Sequence, residues 1–582
     1  MLLAHATKHH ISLLFVEGGL TAVAVAASLA WPRLGSAWFV RIEQAFGRLA
    51  RRKGLAVASV GFSVLLLRLA ILPVFPVPLP FCPNDFSFLL AADTFSLGRL
   101  TNPTPAMWKH FESIHITMQP TYMSMYFPGN GLLLAAGRLL FGNPWIGNLC
   151  VDMLMCASIC WMLQAWLPPG WALFGGIVAM LRIGLYSYWI NTIFGGEALL
   201  AALGGALVLG ALPRLMRTGR FRYSSLMAVG IVILALTRPY EGMLLCLPVA
   251  AALGRWALFG KNRPSRAVLL RRAVVPLALI AAVLAWLGYY NYRAFGGPTI
   301  LPYTVNRATY ATAPYFVWQP ARPAPHYRYE VMRRFYAENE LRIYEAIHSL
   351  AGFLPQTLIK AARGILFFAG LALLPPLVML RRVLLDRRMR FLVLCMFVLM
   401  AGMSIEVFLV PHYLAVFTAV FYALGLQAMR HLRFWKPAGE PVGTTLTRLI
   451  VALCVALAGV RIFATPLKLS VPEWPVSSWS GTWYGPDHYG MTRAQVEGRL
   501  ERLPGSQLVI VRYLPGHNPL DEWVYNQADI DKSKVIWARA GDAASNLELL
   551  HYYYDRKAWL VEPDTASPAV IPYPAPLAAV SP

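Results

Sequence analysis

The chain has 582 residues, of which 57% are hydrophobic, and its mean hydropathy is +0.51. This composition excludes an ordinary soluble domain, and apolar runs near the ~20 residues that cross a bilayer recur along the chain. The net charge of +24 does not indicate a nucleic-acid partner, because Lys and Arg lie in short segments between apolar runs, as the positive-inside rule predicts. We therefore expect a mainly α, polytopic helical membrane protein with about 12–13 spans.

The N-terminal region, residues 1–53, combines one span with a basic segment. The first apolar run, 11–31, follows MLLAHATKHH without a small-residue cleavage site, so we expect a retained span rather than a signal peptide. Residues 37–50 alternate apolar and basic side chains at helical spacing, which favours an amphipathic helix on the inner headgroups. This basic segment stays on the cytoplasmic side, so the N-terminus is expected outside.

Residues 54–464 form the predicted membrane domain, with outer loops at 76–131 and 293–356. A span at 54–75 leads to the first loop, and seven apolar runs separate the two loops. Because both loops are expected outside, one of these runs does not cross; 132–141 and 224–236 are the short candidates. The second is broken at Thr237-Arg238-Pro239, in the stretch TRPYEG. This break indicates either a functional discontinuity or a pair, Arg238 and Glu241, that neutralises itself at the edge of the bilayer. Runs at 358–380, 391–410, 412–429 and 445–464 complete the domain.

Acidic residues collect in the first outer loop, between positions 83 and 131, whereas the flanking apolar runs are almost free of them. The ionisable residues there are Asp85, Asp93, Lys109, His110, Glu112 and His115. Charge of this density beside a bilayer is typical of a functional site. A structural alternative is equally open, since Asn84 is placed to cap a helix that stops at Gly98 and Asp85 favours its dipole.

Two motifs in this loop resemble the type C glycosyltransferase superfamily, which includes protein mannosyltransferases and lipid A aminoarabinose transferases. One is Asn84-Asp85 before Phe86-Ser87-Phe88, where the family has an acidic pair whose first acid is the general base. The other is Tyr126-Phe127-Pro128-Gly129, where the family has a Lys-Pro-Pro-like sequence; Met125 lies near the expected Lys. Through TNPTPAMWKHFE, YWINTIFGG, TRPYEG and PHY the chain is similar to a bacterial subgroup over nearly its whole length.

The resemblance implies an inverting membrane glycosyltransferase. It would move a sugar from a polyprenyl-phosphate donor to a glycan, lipid or protein acceptor at the outer face of the bacterial inner membrane, among membrane lipids and with no cofactor. Two other functions stay open. One is a catalytically lost relative that binds glycans or assists envelope assembly, which Asn84 favours; the other is a transporter, although transporters bind near the bilayer midplane and these acids lie in loops.

Sugar transfer from a lipid phosphate needs a carboxylate to accept a proton and cations to stabilise the departing phosphate. Asp85 is the predicted catalytic base and Glu112 the second catalytic carboxylate. The predicted substrate-binding residues are Asn84, Lys109, His110, Tyr126, Arg238, Glu241, Arg293, His412 and Tyr413. No metal is expected, because the spacing of His110 and His115 does not place both on one helix face.

Residues 465–582 change to a soluble composition after a Trp- and Pro-rich linker, and we expect a small extracytoplasmic α/β domain. Thr492 and Gln495 form a candidate capping box for a helix to position 503. Strands are expected at 507–513, 534–539 and 557–562, with a helix at 543–554. Trp523 and Tyr525 offer stacking surfaces for a glycan, although a solvated loop is the default interpretation.

Overall fold

A computed structural model describes residues 11–260, 263–470, 490–565 and 567–574. Segment 1–10 and most of the predicted linker, 471–489, lie outside the described residues. Within them, eight helices are long and apolar enough to cross a membrane, or nine if one bent helix pair is a single span. The polytopic helical fold is thus confirmed, and the eight or nine helices that meet this criterion of length and composition are fewer than the about 12–13 spans predicted.

The N-terminal region contains the strand β1 (Ile11–Ser12) and the helices α1 (Leu13–Ala30), α2 (Ser36–Arg51) and α3 (Lys53–Ala70). Helix α2 covers the segment in which apolar and basic residues alternate, so the predicted helix is confirmed. Helices α1 and α3 are both candidate spans.

The first outer loop starts with helix α4 (Pro83–Ser96) and continues through a short hairpin, β2 (Ile116–Thr117) and β3 (Met123–Ser124), to α5 (Pro128–Phe141). The prediction that Asn84 caps α4 is wrong. Cys82 occupies the cap position, and Asn84 lies in the first turn. Proline is preorganised for the first helical position, so Pro83 starts the helix two residues earlier than the polar pattern suggests.

The central bundle consists of α6 (Pro144–Trp166), α7 (Pro169–Ala179), α8 (Tyr188–Asn191), α9 (Gly196–Thr218), α10 (Phe221–Thr237), α11 (Pro239–Phe259) and α12 (Arg266–Phe295). The predicted apolar run 171–190 is interrupted by a π-helical turn, Met180–Gly184. Helices α5 and α10 have 14 and 17 residues, fewer than the ~20 that cross a bilayer unaided. These shorter and broken helices are not among the eight candidate spans, which accounts for part of the difference from the predicted count.

The second outer region is the predicted outer loop at 293–356. This region and the remaining bundle contain α13 (Pro302–Tyr310), α14 (Glu330–Arg333), α15 (Leu341–His348), α16 (Leu350–Ala369), α17 (Leu380–Leu385), α18 (Arg390–Ile405), α19 (Thr418–Arg433) and α20 (Val442–Ile462). A segment of this region pairs with the end of α18, because the amide of Val407 donates to the carbonyl of Tyr315 (2.7 Å) and that of Val317 to Ile405 (3.0 Å). These two hydrogen bonds hold the segment from Tyr315 to Val317 against the end of α18.

The C-terminal part contains β4 (Leu469–Ser470), α21 (Met491–Glu501), β5 (Gln507–Val511), β6 (Val535–Arg539), α22 (Ala543–Tyr552), β7 (Lys557–Val561) and β8 (Val570–Pro572). The strand order is β6-β5-β7-β8, with the first three parallel and β8 antiparallel to β7. The predicted α/β unit and its three strands are confirmed, whereas β8 was missed. The capping box is wrong, since Gly490 occupies the cap position of α21 and no side chain bonds there.

The small domain packs directly on the first outer loop. The rings of Phe86 and Tyr525 stack with centroids 4.7 Å apart, and Arg99 makes two hydrogen bonds to Asp529, at 2.5 and 3.2 Å. Trp523 is only 3% exposed. The prediction of Trp523 and Tyr525 as a glycan-stacking surface is therefore wrong, because both rings are used in packing.

Candidate active site

Asp85 lies in the first turn of α4 and is fully buried. Its carboxylate accepts hydrogen bonds from the backbone amides of Phe194 (2.9 Å), Ile193 (3.0 Å) and Phe81 (3.2 Å). Burial raises the pKa of Asp85 to about 6, although these amides favour the charged form. The side chain thus holds the loop before α9 against the start of α4, and its role as a base stays a prediction.

Glu112 is held in an ion pair. Arg328 donates to both of its carboxylate oxygens at 3.0 Å, and the hydroxyl of Tyr310 donates to Oε1 at 2.9 Å. This pairing joins the first outer loop to the second outer region. Both oxygens of Glu112 thus have partners in the folded protein, and its role as a catalytic carboxylate stays a prediction.

His110 joins the same loop to the small domain. Its ring nitrogens lie 3.0 Å from the carbonyl oxygen of Arg539 and 3.2 Å from that of Ser545. Both nitrogens are therefore engaged with backbone, and the structure places this predicted substrate-binding residue in a domain contact.

Three other predicted binding residues lie at or near the surface. Lys109 is exposed, and Arg293 is an exposed residue near the end of α12 that donates to the hydroxyl of Tyr289 (3.1 Å) one turn earlier. Asn84 is half-buried beside Asp85. For Lys109 and Arg293, exposure gives no enclosed environment that would strengthen a charged contact.

A buried group of charges, the ionic cluster, lies where several helix ends meet: it consists of Glu197, Arg238, Glu241 and Glu406, each at most 8% exposed. Arg238 donates from Nη2 to Glu197 (2.8 Å) and from Nη1 to Glu241 (3.3 Å). The guanidinium also lies over the ring of Tyr413, 4.3 Å from its centroid. One arginine is therefore shared between two carboxylates.

Local sequence explains how Arg238 comes to lie between two helices. Proline cannot continue α10, and Pro239 instead starts α11 at its first position. Glu241 lies in the first turn of α11 and Glu197 in the first turn of α9, where the helix dipole favours a negative charge. The TRPYEG break was predicted to be either a functional discontinuity or a neutralised pair; with Glu197 present, the carboxylates outnumber the guanidinium.

Glu406 follows the end of α18 and adds a third carboxylate. The ammonium of Lys360 donates to the backbone carbonyls of Glu406 and of Met403 (3.2 Å for Met403), so this cation lies beside the cluster. Burial, and then the charge of Glu241, raise the pKa of the Glu406 carboxyl well above its usual value. The cluster thus favours proton uptake at Glu406.

Two carboxylate oxygens of the cluster are unsatisfied. Oε1 of Glu197 and Oε2 of Glu406 have no hydrogen-bond partner among the residues that the structure describes, and neither is accessible to water. A buried polar atom without a partner costs about 1–3 kcal/mol, so each such atom needs an explanation. Both oxygens are free to accept a proton or a hydrogen bond from a ligand.

Aromatic side chains enclose the cluster. Tyr126 packs edge-on to Tyr303 (5.6 Å), and its hydroxyl is 3.1 Å from Nδ1 of His115. Burial raises the pKa of Tyr126 well above its usual value, with smaller effects from neighbouring tyrosines and from Glu197. His412, next to Tyr413, is hydrogen-bonded through Nδ1 to the hydroxyl of Tyr188 (2.9 Å).

Of the predicted site residues, the structure brings Tyr126, Arg238, Glu241, His412 and Tyr413 together around this cluster. Sequence reasoning missed Glu197 and Lys360, although both interrupt apolar runs, which is a signal for function in a membrane protein. Glu197 also directly follows the motif YWINTIFGG. Within the described residues, no group of three or more His, Cys, Asp or Glu side chains is arranged to hold a metal ion.

No protein-family model and no curated protein matches this chain. Similar solved structures include ArnT from Cupriavidus metallidurans bound to undecaprenyl phosphate, with a TM-score of 0.47 and 12% identity over 87% of this chain and 92% of that one. Another is the oligosaccharyltransferase AglB from Archaeoglobus fulgidus with an inhibitory peptide and a dolichol-phosphate, at 0.45 and 11% over 86% and 69%. These neighbours are members of the type C superfamily that the loop motifs resemble. Their ligands are not carried over to this chain at such identities.

Proposed function

We propose that the chain is an integral membrane glycosyltransferase that moves a sugar from a polyprenyl-phosphate donor to an acceptor at the outer face of a bacterial inner membrane. The observation that carries this proposal is the ionic cluster, in which buried carboxylate oxygens without partners lie beside a buried guanidinium. Glycosyl transfer uses a carboxylate to accept the acceptor's proton and a cation to stabilise the departing phosphate.

The orientation of α9 supports an outer location for the cluster. Glu197 begins this helix, whereas Arg214 and Arg217 lie near its other end. Because basic residues concentrate on the cytoplasmic side, the end with Glu197 is the outer one. The same direction holds for α11, which begins beside Arg238 and ends before the basic segment around position 263.

In the proposed reaction, the acceptor's oxygen attacks the anomeric carbon from the side opposite the phosphate. The bond between this carbon and the phosphate oxygen breaks, and its electron pair leaves with the polyprenyl phosphate. The acceptor's proton passes to a carboxylate, for which we assign the free Oε1 of Glu197. A single displacement of this kind inverts the anomeric configuration.

Arg238 is the proposed phosphate contact. Its Nε has no hydrogen-bond partner among the described residues, and a planar guanidinium is suited to phosphate oxygens. The guanidinium lies over the ring of Tyr413. Lys360 adds a second positive charge near Glu406. Tyr126 and His412 contribute to the enclosing wall, which keeps water away from the charges and strengthens their interactions.

A second function, that of a catalytically lost relative that binds glycans, is favoured by the surroundings of Asp85. Asn84 stands at the position of the family's base, and the oxygens of Asp85 are occupied by three backbone amides. The two functions differ in what they require of Glu197. A transferase needs a carboxylate oxygen there to accept a proton, whereas a binding protein does not.

The decisive experiment is genetic. We expect deletion of the gene to cause a polyprenyl-linked sugar to accumulate, as seen by mass spectrometry of lipid extracts, and the wild-type gene to remove it. A Glu197→Gln variant should fail to remove it, whereas a Glu548→Gln variant, altered at an exposed carboxylate of the small domain, should succeed. If the deletion leaves lipid-linked sugars unchanged, the transferase proposal is wrong. Full rescue by Glu197→Gln would favour the binding function.

A further inference from the structure

A cavity of about 300 Å³ lies between the small domain and the second outer region. Its wall is formed by three segments, residues 328–334, 511–517 and 539–540. Its volume is at the lower end of the ~300–1,000 Å³ found for ligand pockets, so it suits a ligand of a few rings at most.

The position of this cavity in the sheet is the one at which α/β domains bind ligands. Strand β5 lies between β6 and β7, both parallel to it, so the chain moves to one side of β5 and then crosses to the other. The cavity includes Val511 and Arg539, the last residues of β5 and β6, and the residues that follow them. Crevices outside the carboxyl ends of parallel strands, where the strand order reverses, are typical ligand sites.

More arginines than carboxylates line the cavity, and each of these arginines also pairs with a carboxylate outside the wall. Four arginines line it, Arg328, Arg334, Arg512 and Arg539, against one carboxylate, Glu330. Acidic residues outside the wall hold the arginines in position, as Glu562 does for Arg512 at 2.7 Å. The exposed fractions of the Arg328 and Arg512 side chains, 41% and 55%, leave both accessible for a ligand.

One of these arginines is buried and incompletely satisfied. Arg539 is 1% exposed, donates to the backbone carbonyl of Glu112 and pairs with Glu522 at 2.5 Å. Its Nη1 has no hydrogen-bond partner among the described residues. A buried guanidinium in a cavity wall with a free donor indicates an anionic or oxygen-rich ligand.

Aromatic rings line the same cavity. Tyr513 and His517 stack with centroids 3.8 Å apart at an interplanar angle of 14°. Tyr329 lies on the other segment, 5.7 Å from the guanidinium of Arg539. Flat rings beside guanidinium groups are suited to the apolar face of a sugar together with an attached anion.

We propose that this cavity binds an acidic sugar, a saccharide unit bearing a carboxylate or a phosphate. The cavity contains none of the residues of the ionic cluster, so this binding goes beyond the transfer reaction and can be measured whether or not the protein transfers sugar. A carboxylate and a phosphate share the chemistry that arginines recognise, and the test separates the two.

The test uses the purified full-length protein in nanodiscs and isothermal titration with four probes: glucuronic acid, glucose 6-phosphate, glucose and inorganic phosphate. We expect at least one acidic sugar to bind about tenfold or more tightly than glucose, because a charged hydrogen bond is lost with the neutral sugar. The better of the two acidic sugars identifies the anion. Equal binding of inorganic phosphate would overturn the proposal, because the sugar ring would then contribute nothing.

Variants localise the binding. Arg512→Gln and Arg334→Gln should each weaken binding of the acidic sugar about tenfold. Arg499→Gln is the matched control, since it removes the same charge from an exposed position of the same domain outside the cavity. An equal loss in the control, no loss in either cavity variant, or no binding of any sugar would each overturn the proposal.

Discussion

Two sets of buried carboxylates in this protein differ in how their oxygens are used. The loop carboxylates, Asp85, Asp93 and Glu112, are occupied by backbone amides, arginines and a tyrosine. Asp93 pairs through Oδ1 with Arg138 (2.5 Å) and accepts through Oδ2 from the amide of Ala528 (2.7 Å). In the ionic cluster, by contrast, Glu197 and Glu406 each keep an oxygen without a partner.

Burial does not distinguish the two sets, whereas the number of hydrogen-bond partners of their oxygens does. A carboxylate with a full set of donors is stabilised in place and connects elements, as Asp93 connects α4 to the small domain. An unsatisfied oxygen in a dry environment lowers stability and is retained where a ligand or proton uses it. The acids of the first outer loop therefore connect it to three other parts of the chain, and we propose the chemistry at the cluster.

The largest expected effect is on transfer. Glu197→Gln keeps the size of the side chain and a hydrogen bond to Arg238 but cannot accept a proton, so we expect the transfer rate to fall by at least ~100-fold, the low end of what general base catalysis contributes. The measurement is the rate at which the lipid-linked sugar is consumed in vesicles containing purified protein.

Asp85→Asn is the comparison for that experiment. It alters a carboxylate that the sequence predicts as the base but that already accepts three backbone hydrogen bonds. We expect a rate within about tenfold of wild type, below the ~100-fold that loss of a base causes. The reverse result, with Asp85→Asn inactive and Glu197→Gln active, would identify Asp85 as the base and contradict the assignment of Glu197.

The next effect is a pH dependence of stability. The folded protein holds the proton of Asp85 more tightly than the unfolded chain, because its pKa of about 6 lies above the ordinary value of 3.8. The carboxyl therefore stabilises the fold fully below pH 3.8, and this contribution, about 3 kcal/mol, is lost as the pH rises through 6. Melting temperatures between pH 4 and 7 should fall less steeply in Asp85→Asn than in wild type. Parallel curves would show that the group is not buried as described.

A smaller effect is expected for the contact between the two domains. Asp93→Ala removes the partner of Arg138 and leaves the amide of Ala528 unsatisfied, which should cost about 2 kcal/mol of unfolding free energy. Thermal denaturation in detergent measures this loss, and Asp555→Ala, at an exposed position of the small domain, is the control. Equal stability of the two variants would mean that the contact does not stabilise the protein.

The smallest effect concerns Tyr126, one of the aromatic side chains that enclose the ionic cluster. Tyr126→Phe keeps the stacking on Phe88 (4.4 Å) but removes the hydrogen bond to His115, so we expect a loss of about 1 kcal/mol of stability. The transfer rate should change less than in Glu197→Gln. A rate as low as in that variant would instead assign the Tyr126 hydroxyl to the reaction.

The sequence alone predicted most of the fold because the signals are local. Apolar runs and basic segments indicated the helical membrane domain, and short apolar runs predicted β5, β6 and β7 to within two residues at either end. The proline in TRPYEG marked the helix break that positions Arg238. Helix starts were less accurate, since Pro83 and Gly490 displaced the cap positions expected from Asn84 and Thr492.

The tertiary structure alone decided which ionisable groups meet. Arg238 and Glu241 are neighbours at the start of α11, but Glu197 and Glu406 lie on two other segments, and no local spacing joins them to each other or to this pair. Asp85 and Glu112 have the composition expected of a catalytic loop, yet their partners come from positions far along the chain, such as Phe194 and Arg328. Whether a carboxylate oxygen is occupied or free depends on these long-range contacts, because a hydrogen bond is set by distance in the folded protein and not by position in the sequence.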